Sequence, residues 1–181
     1  MTNMLYEQEI LHHRLLAIAQ DMVIAARTAP KGKGVDSLFA CIVTREEIPD
    51  MRDRMMQLYE KTQAPVFRIN GDDIMKASCI VVLGARNLSL GLKHCGFCGY
   101  ANCAEREQSA QGRCAFVVGD LGIAIGSAVA LAADRRVDTR IMYSIGYTMI
   151  HFKMLPPDVV VAHGIPLSAS SKNPFFDRII K

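Results

Sequence analysis

The chain has 181 residues, half of them hydrophobic, and a formal net charge of +3 at pH 7. This length allows one well-buried core, so we expect a single domain over residues 1–181. Lys and Arg are spread along the chain, Trp is absent and aromatic residues make up 7%, which argues against a nucleic-acid partner because such proteins carry basic stripes or stacking surfaces.

The ends and the apolar runs of the chain predict a cytoplasmic protein. The N-terminus lacks a basic stretch followed by an apolar run, so we expect no secretory signal. The longest run of small apolar residues, 123–133, is short for a bilayer span, and we expect no membrane partner. Thiols stay reduced in the cytoplasm, which favours metal ligands or redox groups over disulfides for clustered cysteines.

The first third of the chain predicts a helix, a loop, a strand and a second helix. Apolar residues recur at steps of three and four over residues 5–26, which is typical of an amphipathic helix. Pro and Gly mark residues 27–36 as a loop, and residues 38–43 suit a buried strand. Thr44 and Glu47 match a capping box that would open the next helix. The apolar face of that helix would carry Ile48, Met51, Met55 and Leu58.

The remaining elements complete a layered pattern. Residues 65–69 and 78–83 are predicted as strands, the second buried on both faces. Asp120 is predicted to cap a helix that continues to about residue 133, and a further helix covers residues 143–155. Residues 159–162 form the last predicted strand. Helices alternating with strands favour an α/β or α+β layered domain.

A cysteine-rich segment at about residues 94–114 carries the clearest chemistry. Its spacing is C-x2-C-x4-C-x10-C, and a glycine follows each of the first two cysteines. Glycine lets a backbone fold closely around a cluster and direct N–H groups at its sulfurs. Four thiolates satisfy an iron–sulfur cubane, so we predict a 4Fe-4S cluster. The predicted ligands are Cys95, Cys98, Cys103 and Cys114.

Other interpretations of these cysteines remain open. A structural zinc could use the same four ligands, although zinc ribbons usually present two short Cys-x2-Cys turns. A redox dithiol at Cys95 and Cys98 would leave the other two unexplained. Chance placement in a core fits poorly with the neighbouring Gly, Tyr and Asn.

The other cysteines and the histidines are predicted to be structural. Cys41 and Cys79 lie in apolar strands and are interpreted as inert hydrophobic residues. His94 adjoins the first ligand and is interpreted as a surface histidine, with tuning or replacement of a ligand as the alternative. We assign no catalytic residue. The isolated candidates, each with a sufficient structural role, are His151, His163 and Asp120.

The cysteine segment resembles a known module. Residues 95–103 read C-G-F-C-G-Y-A-N-C, which is similar to the C-G-x-C-G-Y-x-x-C core of a small four-iron four-sulfur module in redox proteins of anaerobes. The resemblance implies that the three clustered cysteines and one downstream cysteine, here Cys114, bind the cluster. The last spacing is shorter here than in that module.

Three further stretches resemble FMN-dependent nitroreductases. Residues 25–34 are similar to the A-P-S-x-x-N-x-Q-P-W stretch of that family. Residues 120–126, D-L-G-I-A-I-G, are similar to its central helix, and residues 159–167 to its last strand. The resemblance implies a nitroreductase-like α+β fold, a sheet flanked by helices, in an intertwined homodimer with FMN at the interface.

The FMN signature departs from the family pattern. Gly34 and Asp36 stand where the family has Asn and Gln, and the Arg-rich start that grips the FMN phosphate is missing. Solvated loop charges are the alternative interpretation of the basic residues that remain. The candidates for binding the phosphate are Arg27, Lys31, Lys33, Lys172 and Arg178.

Together the two resemblances identify the chain as a member of a ferredoxin-domain family of anaerobic bacteria and archaea. Three functions are then open. The first is an oxidoreductase in which a cluster feeds electrons to FMN. The second is a non-catalytic carrier that exchanges electrons with a donor or acceptor protein. The third is a zinc-stabilised module that binds another protein.

Overall fold

A four-stranded antiparallel sheet of order β1-β2-β4-β3 forms the centre of the protein. The computed structural model describes residues 4–177. The strands are β1 (Leu38–Val43), β2 (Cys79–Arg86), β3 (Asp138–Thr139) and β4 (Val159–Ser168). The helices are α1 (Glu7–Thr28), α2 (Ile48–Thr62), α3 (Pro65–Ile74), α4 (Cys103–Gln108), α5 (Ala115–Asp134) and α6 (Tyr143–His151).

Helices cover both faces of the sheet, and β2 lies between two hydrophobic cores. Successive strand residues point to opposite faces, so Val81 and Leu83 pack with α1 and α5. Ile80 and Val82 pack on the other side with α2, α3 and α6. The predicted α+β fold and the burial of the second strand on both faces are therefore confirmed. That residues 1–181 form one domain stays a prediction.

The periodic segments were predicted well. Helix α1 and strand β1 lie where the sequence indicates them, although β1 is an edge strand and only half-buried over most of its length. The apolar face of α2 is buried as predicted. The capping box at Thr44 is wrong, because a short 3-10 helix, Arg45–Glu47, precedes α2 and the Thr44 side chain caps nothing.

The strand predicted at residues 65–69 is wrong, since this stretch is the start of α3. Pro65 occupies the first helical turn, where its missing N–H costs nothing. Asn70 and Gly71 are helix-interior residues and not a turn, and the Asn70 side chain donates to Ser144 Oγ at 2.6 Å. The buried face of α3 has helical spacing and includes Phe67, Asn70, Gly71 and Ile74.

Helix α5 begins before the predicted cap. It starts at Ala115, directly after Cys114, so Asp120 lies inside the helix. The helix is therefore 20 residues long, and by length and composition it is the one described helix that could cross a membrane. Its inner face packs against α1 and β2, and 39% of its most apolar 18-residue stretch is buried within the protein.

The last two predicted elements differ in length from the structure. Helix α6 ends at His151 and not near residue 155. Strand β4 runs through Gly164 and Pro166 to Ser168, beyond the predicted end at Ala162, because it pairs with the whole of β2. Gly164 permits this close packing, since a Cβ there would lie 2.5 Å from Ile145 Cγ2 of α6.

Candidate metal centre

The cysteine segment leaves the sheet after β2 and returns at the start of α5. Within it, α4 begins at Cys103, and two side-chain hydrogen bonds cap its N-terminus. Asn102 Oδ1 accepts from Glu105 N at 2.9 Å. The Glu105 carboxylate in turn accepts from Ala101 N at 2.7 Å. This reciprocal cap fixes the backbone at Cys103.

All four predicted ligands line one surface pocket. They reach it from a loop, from the first residue of α4 and from the residue before α5. All four are free thiols: Cys114 is buried, Cys98 and Cys103 are half-buried, and Cys95 is exposed. The structure therefore brings together the side chains that the sequence grouped only by spacing.

Two glycines shape the loop that carries the first pair of cysteines. Gly96 has φ of +107° and Gly99 has φ of +86°, a region that glycine adopts without the steric penalty of a Cβ. The N–H of Gly99 donates to Gly96 O at 2.9 Å and closes a tight turn around Cys98. This turn lets Cys95 and Cys98 face the same pocket.

Tyr100 connects the cysteine loop to the residues that precede Cys114. Its hydroxyl bonds to Ser109 Oγ at 2.8 Å. Ser109 Oγ also accepts from Gly112 N at 3.1 Å. A Cβ on Gly112 would lie 3.0 Å from the Tyr100 ring, so glycine permits this contact. The residues before Cys114 are therefore held against the loop that carries Cys95 and Cys98.

The four cysteines do not form the close group that a single metal ion needs. Among residues 4–177, no three His, Cys, Asp or Glu side chains are grouped closely enough to hold a single metal ion. Four thiolates around one zinc would lie about 3.8 Å apart, given tetrahedral bonds of about 2.3 Å. A cubane gives each thiolate its own iron and spreads the sulfurs further. Four thiols that share one pocket without this close grouping argue against a single zinc ion.

Cys114 occupies the N-cap position of α5. Unpaired backbone N–H groups and the helix dipole make this end of the helix favourable for a negatively charged group. Beside it, Phe116 stacks on Phe97 with ring centroids 5.6 Å apart. The Phe97 side chain is 79% exposed, so an aromatic pair lies at the surface next to the pocket.

Arg106 lines the pocket, although the sequence did not predict it as a site residue. It lies on α4 three residues after Cys103 and lines the pocket with the four cysteines, yet it is only 3% exposed. Its Nη1 donates to Ser89 Oγ at 3.2 Å and its Nη2 to Asn87 Oδ1. Its Nε is buried without a hydrogen-bond partner. The available signal was the i, i+3 spacing from Cys103, which sets both residues on one helix face.

The basic residues predicted for FMN are held by groups of this chain. Arg27 binds Asp36 with 2.6 Å between Nη1 and Oδ1, and it also donates to Leu38 O at 3.0 Å. Burial alone would raise the pKa of Asp36, but the hydrogen bond and charge of Arg27 hold that pKa below its ordinary value. Lys31 Nζ donates to three carbonyl oxygens near the end of α1.

The remaining FMN candidates are scattered. Lys33 Nζ donates to Leu90 O at 2.9 Å, and Lys172 Nζ lies 2.7 Å from Asp177 Oδ1. Arg178 lies outside the described residues. No open cluster of cations is formed by the four described candidates, because each already bonds to a carboxylate or a carbonyl of its own chain.

The other thiols and histidines stand apart from the pocket. Burial raises the pKa of both Cys41 and Cys79 to about 11, which keeps these thiols protonated and unreactive at neutral pH. His151 is exposed and stacks on Tyr147. The Nδ1 of His163 is buried without a hydrogen-bond partner, and burial lowers the pKa of this imidazole.

Comparison with solved structures shows the fold. A nitroreductase with bound FMN from Bacteroides fragilis NCTC 9343 superposes with a TM-score of 0.59 at 12% identity, covering 91% of this chain and 80% of that one. A nitroreductase with bound FMN from Desulfitobacterium hafniense DCB-2 gives 0.57 at 13% identity, covering 95% and 82%. The chain therefore has a nitroreductase-like fold.

Comparison with sequences shows the family. The family model described as "Uncharacterized protein containing a ferredoxin domain (DUF2148)" matches residues 110–178, a range that includes Cys114 and not the other three predicted ligands. A protein of Archaeoglobus fulgidus, named "Uncharacterized protein", is 35% identical over 185 residues, covering 98% of this chain and 99% of that one. The chain belongs to one family with the A. fulgidus protein, and its residues 110–178 match the model of proteins containing a ferredoxin domain.

Proposed function

We propose that this protein binds a 4Fe-4S cluster through Cys95, Cys98, Cys103 and Cys114 and transfers electrons through it. The observation that carries the proposal is that four free thiols from three separate stretches line one pocket. The ferredoxin-domain family and the nitroreductase-like fold support a redox protein of the oxidoreductase type.

Different residues of the chain would bind the cluster, orient its ligands and leave it accessible to a partner. The four thiolates bind it, and the turn at Gly96 and Gly99 directs two of them to the pocket. When bound, the cluster would supply one-electron chemistry whose potential depends on burial and hydrogen bonds. Cys95 lines the pocket and is exposed, and Phe97, two residues further along the chain, is exposed as well, so a donor or acceptor protein would approach from this side.

The proposal includes a homodimer formed through the outer face of α5. Val118 and Ile123 on this face are 38% and 49% exposed. A Cβ on Gly119, Gly122 or Gly126 would meet nothing within 4 Å, so a second copy could approach the helix backbone closely. Burying such an apolar face is favourable in proportion to its area. We propose a second copy of this chain as its occupant.

Two observations bear on whether this protein also binds FMN, and they point in opposite directions. The nitroreductases with this fold are described with FMN bound, which favours a flavin-dependent oxidoreductase as the second candidate function. Against it, the four described residues that were predicted for the phosphate already bond to their own chain. The four described candidates therefore do not form a site for an FMN phosphate.

The setting that suits this chemistry is the cytoplasm of an anaerobe. Cytoplasmic thiols remain reduced, as cluster ligands must be. Cys95 is exposed, so a cluster held there would be open to oxygen, and an aerobic preparation is expected to lose it.

The test is spectroscopy and metal analysis of protein purified without oxygen. Broad absorption near about 400 nm, from thiolate-ligated iron, together with equal iron and sulfide would support the proposal. Zinc without iron or sulfide would instead support the protein-binding module. Flavin released on denaturation, or FMN taken up on titration, would favour the flavin-dependent enzyme over the simple electron carrier.

A further inference from the structure

Arg106 is a buried positive charge in a pocket lined by thiols. Only 3% of it is exposed, and it shares the pocket with all four cysteines. Taking a guanidinium out of water is costly unless a negative charge lies close to it. A partner for this charge is therefore expected nearby.

The partners that Arg106 has within residues 4–177 are neutral. Its two Nη atoms donate to Ser89 Oγ and Asn87 Oδ1, and no ion pair to a carboxylate is recorded for it in this range. The Nε–H is buried and has no acceptor. A donor buried without an acceptor loses its hydration without compensation. Within the described residues, Arg106 therefore has a buried N–H without an acceptor and a charge that is partnered only by neutral groups.

A purely structural role does not account for this arrangement. If Arg106 only tethered α4 to Asn87 and Ser89, a neutral hydrogen-bond donor would suffice. The two Nη atoms already make that tether, so neither the positive charge nor the Nε–H would have a use. The four thiols line the same pocket as Arg106, and a cluster with four thiolate ligands would be anionic. The charge of Arg106 and its free donor are both explained if such a cluster lies beside it.

We propose that Arg106 is the counter-charge of the cluster and that its free Nε–H is the donor available to the cluster's sulfur ligands. This inference rests on the proposed function and goes beyond it by assigning a residue that sets the reduction potential. Reduction brings one electron from an external donor such as dithionite while the four thiolates stay bound. A buried cation favours the state with the extra negative charge, so Arg106 raises the potential.

The sharpest test changes the partner of Arg106 and leaves Arg106 in place. Asn87→Asp is isosteric, preserves the acceptor for Nη2 and adds a carboxylate that offsets the guanidinium charge. The measurement is a redox titration followed by electron paramagnetic resonance, with iron and sulfide per chain. We expect full iron and sulfide and a three- to tenfold lower equilibrium constant for reduction, up to about 59 mV for a one-electron couple.

The control adds the same charge at a solvated site on the same helix. Gln108 is exposed at the last position of α4 and does not line the pocket. Gln108→Glu should change the reduction constant by less than about twofold, because solvent and salt screen an exposed charge. A second variant, Arg106→Lys, keeps the charge and removes the Nε–H, and it should also lower the potential.

The outcomes separate the two proposals. If wild-type protein prepared without oxygen holds no iron and sulfide, the proposed function fails and this inference fails with it. If the cluster is present and both Asn87→Asp and Arg106→Lys titrate at the wild-type potential, only the role of Arg106 is wrong. Loss of the cluster in both variants, with Gln108→Glu intact, would show that Arg106 is a structural tether and would also overturn the inference.

Discussion

The Asp120 carboxylate accepts a hydrogen bond from the backbone N–H of Gly32, with 3.0 Å between Gly32 N and Asp120 Oδ2. This bond ties the loop after α1 to the middle of α5, across 88 residues of sequence. Gly32 is also packed closely against Leu90, because a Cβ on Gly32 would lie 2.4 Å from Leu90 Cδ1. The loop that carries Lys31 and Lys33 is thus fixed against the helix that starts at the metal centre.

Replacing Asp120 by Ala should destabilise the fold. Asp120 is 6% exposed, so its loss leaves the N–H of Gly32 without this acceptor in a partly buried place. We expect a decrease of about 1–3 kcal/mol in the free energy of unfolding, measured by urea titration of the apo protein. Asp134→Ala, at the exposed end of the same helix, should change it by less than about 0.5 kcal/mol. Equal effects of the two variants would contradict the role of this bond.

The sequence alone predicted the elements whose apolar pattern fits one kind of structure. Helix α1 has apolar residues at steps of three and four, and strand β2 is a continuous apolar run of the length of a buried strand. Residues 65–69 failed because an apolar stretch of five residues fits a short strand as well as a helix. Pro65, which opens α3, was the signal that could have decided between them.

The candidate metal centre was predictable from spacing only in part. Four cysteines with adjacent glycines sufficed to group the ligands, because ligand spacing and backbone freedom are local properties. The burial of Arg106 was not predictable, since it depends on how α4 packs over Asn87 and Ser89. In the sequence Arg106 stands between two glutamates and has the pattern of a solvated helix face.

Cys98→Ser should abolish cluster binding, whereas Cys41→Ser should preserve it. Serine is a poor ligand for iron because its hydroxyl does not ionise at neutral pH as a cysteine near a metal does. Cys41 lies on the edge strand β1, away from the pocket, and burial raises its pKa to about 11. Iron and sulfide per chain, measured after anaerobic purification, would decide the matter. Similar losses in the two variants would mean that the cysteines have been sorted wrongly.

Ile123→Lys should convert the proposed dimer to a monomer. Ile123 is 49% exposed on the outer face of α5, so a charge there is solvated in the monomer but would be buried between two copies. Light scattering coupled to size-exclusion chromatography measures the mass directly. Ile141→Lys is the matched control, because Ile141 is similarly exposed, at 46%, and lies outside α5. A wild-type protein that elutes as a monomer at high concentration would rule out the dimer.

His163 should make the protein less stable in mild acid. Burial lowers the pKa of His163 from 6.5 in the folded state, so the unfolded chain binds a proton first as the pH falls. The free energy of unfolding therefore decreases from about pH 6.5 down to the folded-state pKa, where the loss is complete. His163→Leu removes this group and should flatten that slope in urea titrations between pH 5 and 7. His151 is exposed, and His151→Gln should preserve the slope. An unchanged slope in His163→Leu would show that another group controls the acid sensitivity.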